Sequence, residues 1–70
     1  MICPRCRQGD ILKVLVKELQ VETFLCDECD AMWFNRIDIE NMSFVDFETY
    51  MVSKGLDSTW NEIIIVKNDI

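Results

Sequence analysis

The apolar positions in the first half of the chain form three short extended segments. Residues 11–17 are almost continuously apolar and rich in β-branched side chains, which favours a strand over a helix. Residues 21–25 are predicted to be the returning strand of a hairpin, with residues 18–20 as its connection, and residues 30–34 to be a third strand. Successive side chains of a strand alternate between faces, so Trp33 and Phe34 are expected on opposite sides.

The middle of the chain carries helical signals. Asn35 or Asp38 can cap a short helical turn through residues 39–42. A longer helix is predicted for residues 43–54, starting at Ser43, with the capping, charge order and following glycine that helix ends prefer. One face of this helix would carry Phe44, Phe47 and Met51.

The last apolar segment, residues 60–67, is predicted to be a strand. Its four consecutive β-branched residues indicate burial on both faces. The final residues, 68–70, would be a tail. Aromatic side chains in this half are expected to be core, with a binding face as the alternative: Phe44, Phe47, Tyr50 and Trp60.

Together these elements predict a single α+β domain spanning residues 1–70. It would consist of a ribbon at residues 1–42, formed by a β-hairpin and a third strand, and a helix–strand extension at residues 43–70. The extension is too small to fold alone. A 70-residue chain buries a limited core, and domains of this size commonly need a metal, disulfides or a partner.

The cysteines supply the chemistry that such a small domain needs. All four lie in two Cys-x-x-Cys pairs separated by 19 residues, Cys3/Cys6 and Cys26/Cys29. This spacing is typical of a four-cysteine metal site, and four thiolates in a tetrahedron suit a structural Zn²⁺. Iron or another thiolate-bound metal, and redox use of the thiols, are the alternatives. A catalytic zinc is disfavoured, since four cysteines leave no ligand position for water.

Residues 1–42 resemble the small bacterial zinc ribbons grouped as transcription-factor-type zinc fingers. The matching features are Cys3-Pro4-Arg5-Cys6, Cys26-Asp27-Glu28-Cys29, Trp33 four positions after the last cysteine, and the acidic Glu40. The resemblance implies a zinc-ribbon fold with one zinc held by Cys3, Cys6, Cys26 and Cys29. The family usually has glycine directly after the second cysteine pair, where this chain has Asp30 and Ala31, and residues 43–70 match no family pattern.

Charge decides between classes of partner. Thirteen acidic and seven basic residues give a net charge of −6, and the second half is the more acidic. Nucleic-acid affinity is built from Lys and Arg contacts, so nucleic acid is an unfavourable partner and a basic protein a favourable one. Arg5 and Arg7 could contact nucleic acid, but cations beside a thiolate–metal centre are also expected on electrostatic grounds alone. The candidate partner-binding residues are Asp46, Glu48, Asp57 and Glu62, with a merely solvated face as the alternative.

The resulting functional prediction is a zinc-binding protein-interaction module with an acidic surface. One concrete form is an immunity or antitoxin-type inhibitor of a basic nuclease toxin, and the alternative is a regulatory zinc ribbon acting on nucleic acid or the transcription machinery. Enzymatic activity is not expected, because the chain has no histidine and no phosphate-binding glycine loop. Thiols assigned to metal, with no apolar run that could span a membrane and no signal peptide, predict a cytoplasmic protein.

Overall fold

The computed structural model describes residues 1–68, so most of the tail predicted at residues 68–70 lies outside the described residues. In chain order the elements are β1 (Ile11–Val16), β2 (Val21–Cys26), β3 (Ala31–Trp33), α1 (Arg36–Glu40), β4 (Val45–Asp46), α2 (Phe47–Ser53), a 3₁₀ helix (Trp60–Glu62) and β5 (Ile63–Lys67). The strands form one antiparallel sheet in the order β4-β3-β2-β1-β5. The predicted α+β class and the hairpin with a third strand are therefore present.

The extension completes the sheet on both sides of the hairpin. Strand β4 pairs with β3 at one edge, and β5 pairs with β1 at the other. Each strand of the extension adds to a strand of the ribbon, and neither pairs with the other. The two halves of the chain thus share one sheet.

One face of the sheet is covered along β1, and the other face is covered at the end near the cysteines. Residues two apart on a strand share a face. On one face, Val14 and Val16 pack with α2 through Phe47 and Met51, and this cluster also contains Leu12, Leu25, Met32 and Ile63. On the opposite face, Ile11 lies in a second cluster together with Cys3, Cys26, Ala31, Trp33 and Ile39. The second cluster joins the core to the cysteines.

Helix α2 begins later than predicted. The helix expected from residue 43 starts at Phe47, because Val45 and Asp46 pair with Met32 and Ala31 as strand β4. The side chain of Asp46 then caps the helix by accepting a hydrogen bond from the Thr49 N–H at 3.1 Å. At the other end Gly55 adopts φ +74°, the left-handed conformation expected just after a helix.

The short helix α1 also differs from its prediction in position. It spans Arg36–Glu40 instead of residues 39–42, and its cap is Asn35, whose Oδ1 accepts a hydrogen bond from the Asp38 N–H at 2.9 Å. Of the two candidate caps, Asn35 is confirmed and Asp38 is not. Its one buried residue, Ile39, anchors the helix over the second core cluster.

Strand β5 is not the doubly buried strand that was predicted. Residues 60–62 form a 3₁₀ helix, and of residues 63–67 only Ile63 is buried. The strand lies at the edge of the sheet, with no further strand beyond it among residues 1–68. A run of β-branched residues therefore indicated a strand here but not its place in the sheet.

The four aromatic side chains expected to be core differ in how far they are buried. Phe47 is buried, and Tyr50 and Trp60 are half-buried against the same cluster. Phe44 is exposed and contacts the edge of Trp33, with the ring centroids 6.2 Å apart. Trp33 and Phe34 lie in different surroundings, as expected for opposite sides of a strand. Trp33 is fully buried, whereas Phe34 is exposed and contacts Tyr50.

No helix among residues 1–68 has the length and apolar character needed to cross a membrane.

Candidate metal centre

The hairpin brings the two Cys-x-x-Cys turns, or knuckles, to the same end of the sheet. Ile11, at the start of β1, pairs with Cys26, at the end of β2. The first knuckle immediately precedes this pair and is closed by a bridge between Ile2 and Asp10. The knuckles are also tied directly, because the Asp10 N–H donates to Asp27 Oδ1 at 2.9 Å and the Asp27 N–H to the Asp10 carbonyl at 3.1 Å.

The four cysteine sulfurs form a compact group suited to one metal ion. All four Sγ atoms lie within 4.8 Å of one another, and none of the cysteines forms a disulfide. The Cys3–Cys29 and Cys6–Cys26 sulfur pairs are 3.8 and 3.7 Å apart. A tetrahedron with Zn–S bonds of about 2.3 Å has edges of about 3.8 Å. The Cys3–Cys29 and Cys6–Cys26 distances match that edge, and the whole group is compact enough to close around one zinc.

Backbone N–H groups surround the sulfurs. The Gly9 N–H points at Cys6 Sγ at 3.4 Å, and the N–H groups of Glu28 and Cys29 point at Cys26 Sγ at 3.3 and 3.4 Å. Each such contact stabilises negative charge on sulfur, as a thiolate ligand requires. The knuckle backbone therefore favours a thiolate at one cysteine of each pair, Cys6 and Cys26.

Gly9 permits the close approach of the two knuckles, a role that the sequence did not reveal. Gly9 is not needed for a left-handed backbone, because the residue with positive φ in this knuckle is Arg7 at +59°. A Cβ on Gly9 would lie 2.7 Å from Cys26 Sγ, 2.7 Å from Asp27 Oδ1 and 2.8 Å from Glu28 Cβ. No side chain fits at this position.

The residue that follows each knuckle takes the left-handed conformation. Arg7 follows Cys6 with φ +59°, and Asp30 follows Cys29 with φ +60°. Asp30 thus adopts the backbone region for which glycine is best suited, at the position where the resembling family usually has glycine. Its carbonyl accepts a hydrogen bond from the Phe47 N–H at 3.0 Å, so the turn also fixes the start of α2.

Replacing Asp30 with glycine is therefore expected to stabilise the protein relative to replacing it with alanine. Both changes remove the side chain, but only glycine adopts positive φ without steric strain, so the free energy of unfolding of Asp30→Gly should exceed that of Asp30→Ala by about 1 kcal/mol. Chemical denaturation of the zinc-loaded variants measures the difference. Equal stabilities, or a more stable alanine variant, would show that Asp30 carries no backbone strain.

Arg5 links the first knuckle to the rest of the site. Its Nη1 donates to the Cys29 carbonyl at 3.3 Å, and its guanidinium lies 4.5 Å from the centroid of the Phe44 ring. These contacts engage Arg5 within the molecule and hold its charge against the backbone of the second knuckle. Arg7 is exposed.

Burial and backbone hydrogen bonds shift the pKa values of the thiols in opposite directions. Desolvation by burial raises the pKa of Cys3 above its usual 9.0 and raises that of Cys26 to about 12. Hydrogen bonds from the Gln8 and Gly9 backbone lower the pKa of Cys6 to about 6. In this folded arrangement, the lowered pKa of Cys6 favours its thiolate near neutral pH, and the raised pKa values of Cys3 and Cys26 favour their protonated forms.

Zinc binding at neutral pH is therefore expected to release protons, at least those of Cys3 and Cys26. Because protons compete with the metal for these sulfurs, the apparent zinc affinity should rise with pH throughout the range above the Cys6 pKa of about 6. Calorimetry in buffers of different ionisation enthalpy counts the protons, and chelator competition at several pH values gives the slope. A zinc affinity that does not change with pH would contradict protonated Cys3 and Cys26.

Trp33 packs in the core cluster that contains two of the cysteines. It is fully buried in the same cluster as Cys3 and Cys26, and its Nε1 has no hydrogen-bond partner among the described residues. Such a side chain couples the packing of the core to the geometry of the knuckles.

The four acidic residues proposed for partner binding do not lie together in the sheet. Asp46 belongs to β4 and its carboxylate is engaged in capping α2, whereas Glu62 directly precedes β5 at the opposite edge and is half-buried. Glu48, in the first turn of α2, and Asp57, in the following loop, are both exposed. Within residues 1–68, the cysteines are the only histidine, cysteine or acidic side chains grouped closely enough to hold a metal.

No protein-family model, curated protein or solved structure matches this chain, so the interpretation of the site depends on its own geometry.

Proposed function

We propose that this protein is a zinc ribbon of the transcription-factor type, in which Cys3, Cys6, Cys26 and Cys29 hold one structural zinc and the extension binds a basic protein. The main support for the zinc site is the group of four cysteine sulfurs, whose Sγ atoms all lie within 4.8 Å of one another. Four thiolates fill the tetrahedral shell and leave no position for a reacting water. The metal then supports the fold, and function belongs to the surface.

The charge of the metal-bound form supports a basic partner. The chain carries −6, and four thiolates around one Zn²⁺ add a further −2. Glu48 and Asp57 are exposed on the extension and free to contribute to steering. Long-range attraction of this kind raises association rates and disfavours acidic partners. Asp46 contributes less to the attraction of a basic partner, because its carboxylate caps α2.

An immunity or antitoxin role is the concrete form of this proposal. A nuclease presents a basic cleft to its nucleic-acid substrate, and an acidic inhibitor of this size would compete for that cleft. Metal-bound thiols suit the reducing cytoplasm, where such an inhibitor would act.

Coexpression with the products of neighbouring genes tests this role. We expect one basic product to copurify with the protein, to be toxic alone, and to be neutralised by coexpression. The double variant Glu48→Gln/Asp57→Asn should weaken the complex in a salt-dependent way. The control Glu18→Gln removes one exposed charge from the hairpin turn, away from the extension, and should weaken the complex clearly less than either single variant, Glu48→Gln or Asp57→Asn.

Two outcomes would contradict the proposal. One is the absence of a basic partner and of any protection of cells. The other is a gel shift of nucleic acid that weakens steeply with rising salt, which would favour the regulatory zinc ribbon acting on nucleic acid or the transcription machinery.

A further inference from the structure

Strand β5 leaves three neighbouring apolar side chains half exposed at an open edge of the sheet. Ile64, Ile65 and Val66 are 49%, 51% and 49% exposed. Edge strands of natural proteins are usually protected by charge, proline or a covering element. Residues 63–66 contain neither a charge nor a proline, and no strand lies beyond them among residues 1–68.

The backbone at this edge is oriented for further pairing. The Lys17 N–H donates to the Glu62 carbonyl at 3.1 Å, which identifies residues 17 and 62 as a hydrogen-bonded pair. In an antiparallel ladder such pairs alternate, so the next one is Leu15 with Ile64. The N–H and C=O groups of Ile63 and Ile65 therefore point away from β1, toward the open edge.

We propose that β5 pairs antiparallel with β5 of a second copy of this chain, about a two-fold axis at Ile65. This register sets Ile65 opposite Ile65 of the other copy, so that the outward N–H and C=O groups of each satisfy those of the other. It also sets Ile64 opposite Val66 of the other copy. All three exposed side chains gain apolar partners, and the contact is self-complementary, as a two-fold dimer requires.

The β1–β5 pairing supports this choice of register. Ile65 pairs with Val14 and Lys67 with Lys13, so a bulge leaves Val66 without a partner on β1. Pairing across the two-fold axis gives Val66 a partner in Ile64. A register centred on Ile64 would instead place Val66 opposite Glu62.

The charges at the ends of the strand fit the same register. A net charge of −6 makes two copies repel each other in general, but the strand between Glu62 and Lys67 is neutral. Antiparallel pairing about Ile65 brings Lys67 of one copy next to Glu62 of the other, and symmetry repeats this contact. The nearby Lys13 is already paired with Glu22 at 3.2 Å within its own copy.

The contact is small, which determines how it must be measured. Three half-exposed side chains cover much less than the about 800 Å² that each partner contributes to a standard interface. We therefore expect a reversible dimer that dissociates on dilution. Sedimentation of the zinc-loaded full chain from about ten micromolar to about one millimolar should show a shift from monomer to dimer.

A pair of matched substitutions locates the interface. Ile65→Lys places a charge at the two-fold axis and should raise the dimer dissociation constant at least about tenfold. Ile37→Lys makes the same change at a residue that is 62% exposed on α1, beside β3, and should change the constant less than about twofold. Circular dichroism and zinc content confirm that both variants are folded.

Amide hydrogen exchange tests the register in the unmodified chain. The Ile64 amide is bonded to β1 and should be protected at every concentration, whereas the Ile65 amide should exchange rapidly in dilute solution and become protected in concentrated solution. The proposal is overturned by a chain that stays monomeric up to about one millimolar, since the edge then serves a different partner or none. It is equally overturned by an Ile65 amide that is insensitive to concentration, or by a dimer that Ile37→Lys disrupts and Ile65→Lys does not.

Discussion

Replacing Cys26 with serine should unfold the protein under conditions in which the unmodified chain is folded. Cys26 is fully buried, contributes one of the four grouped sulfurs, and accepts the N–H groups of Glu28 and Cys29. A structural zinc provides about 10–16 kcal/mol of apparent binding free energy, which is folding free energy when the site is absent from the unfolded chain. A small domain is stable by only about 5–15 kcal/mol, so loss of tight zinc binding is enough to unfold it.

Thermal unfolding followed by the fluorescence of Trp33 and Trp60, together with zinc content, measures this effect. Removing zinc from the unmodified chain with a chelator should reproduce it, and restoring zinc should reverse it. The matched control is Val52→Ser, which introduces serine at an exposed position of α2 and should leave both zinc content and melting temperature unchanged. A Cys26→Ser variant that kept its zinc and its melting temperature would show that Cys26 is not a ligand.

Gly9→Ala should also damage the site, although it removes no ligand. The added Cβ would lie under 3.0 Å from three atoms of the second knuckle, including Cys26 Sγ. Because the knuckles are joined by the Asp10–Asp27 hydrogen bonds, they cannot separate without losing them. We expect a loss of about 1–3 kcal/mol of stability from overpacking and a fall of about 10–100-fold in zinc affinity from the displaced sulfur.

Gly55→Ala provides the control for this prediction. A Cβ at Gly55 would meet nothing within 4 Å, but its φ of +74° makes alanine strained there. This variant should lose about 1 kcal/mol of stability while its zinc affinity stays unchanged. The account of Gly9 would be contradicted if both glycine variants bound zinc equally well.

The features that the sequence predicts correctly are those with local signals. The β-branched run of β1, the cap at Asn35 and the left-handed Gly55 depend on residues a few positions apart. The grouping of the four cysteines also follows from spacing, since two tight turns joined by a hairpin must meet at its open end. These features could be inferred without knowledge of the tertiary structure.

The errors lie where tertiary pairing outweighs a local signal. Residues 43–46 have a helical pattern, but Val45 and Asp46 pair with β3, so α2 starts at Phe47. The apolar run of β5 predicts a strand, yet only the order of the sheet shows that it is an edge. The role of Gly9 depends on atoms of residues 26–28, which lie about 20 positions away in the chain. No pattern within one segment contains that information.

The most direct test of the central claim is native mass spectrometry combined with titration of the thiols. The account predicts one zinc per folded chain and no reactive thiol until zinc is removed, after which all four cysteines react. It would be contradicted by a folded, metal-free chain with four reactive thiols. It would also be contradicted by a chain whose cysteines are joined in disulfides, or by one iron in place of zinc.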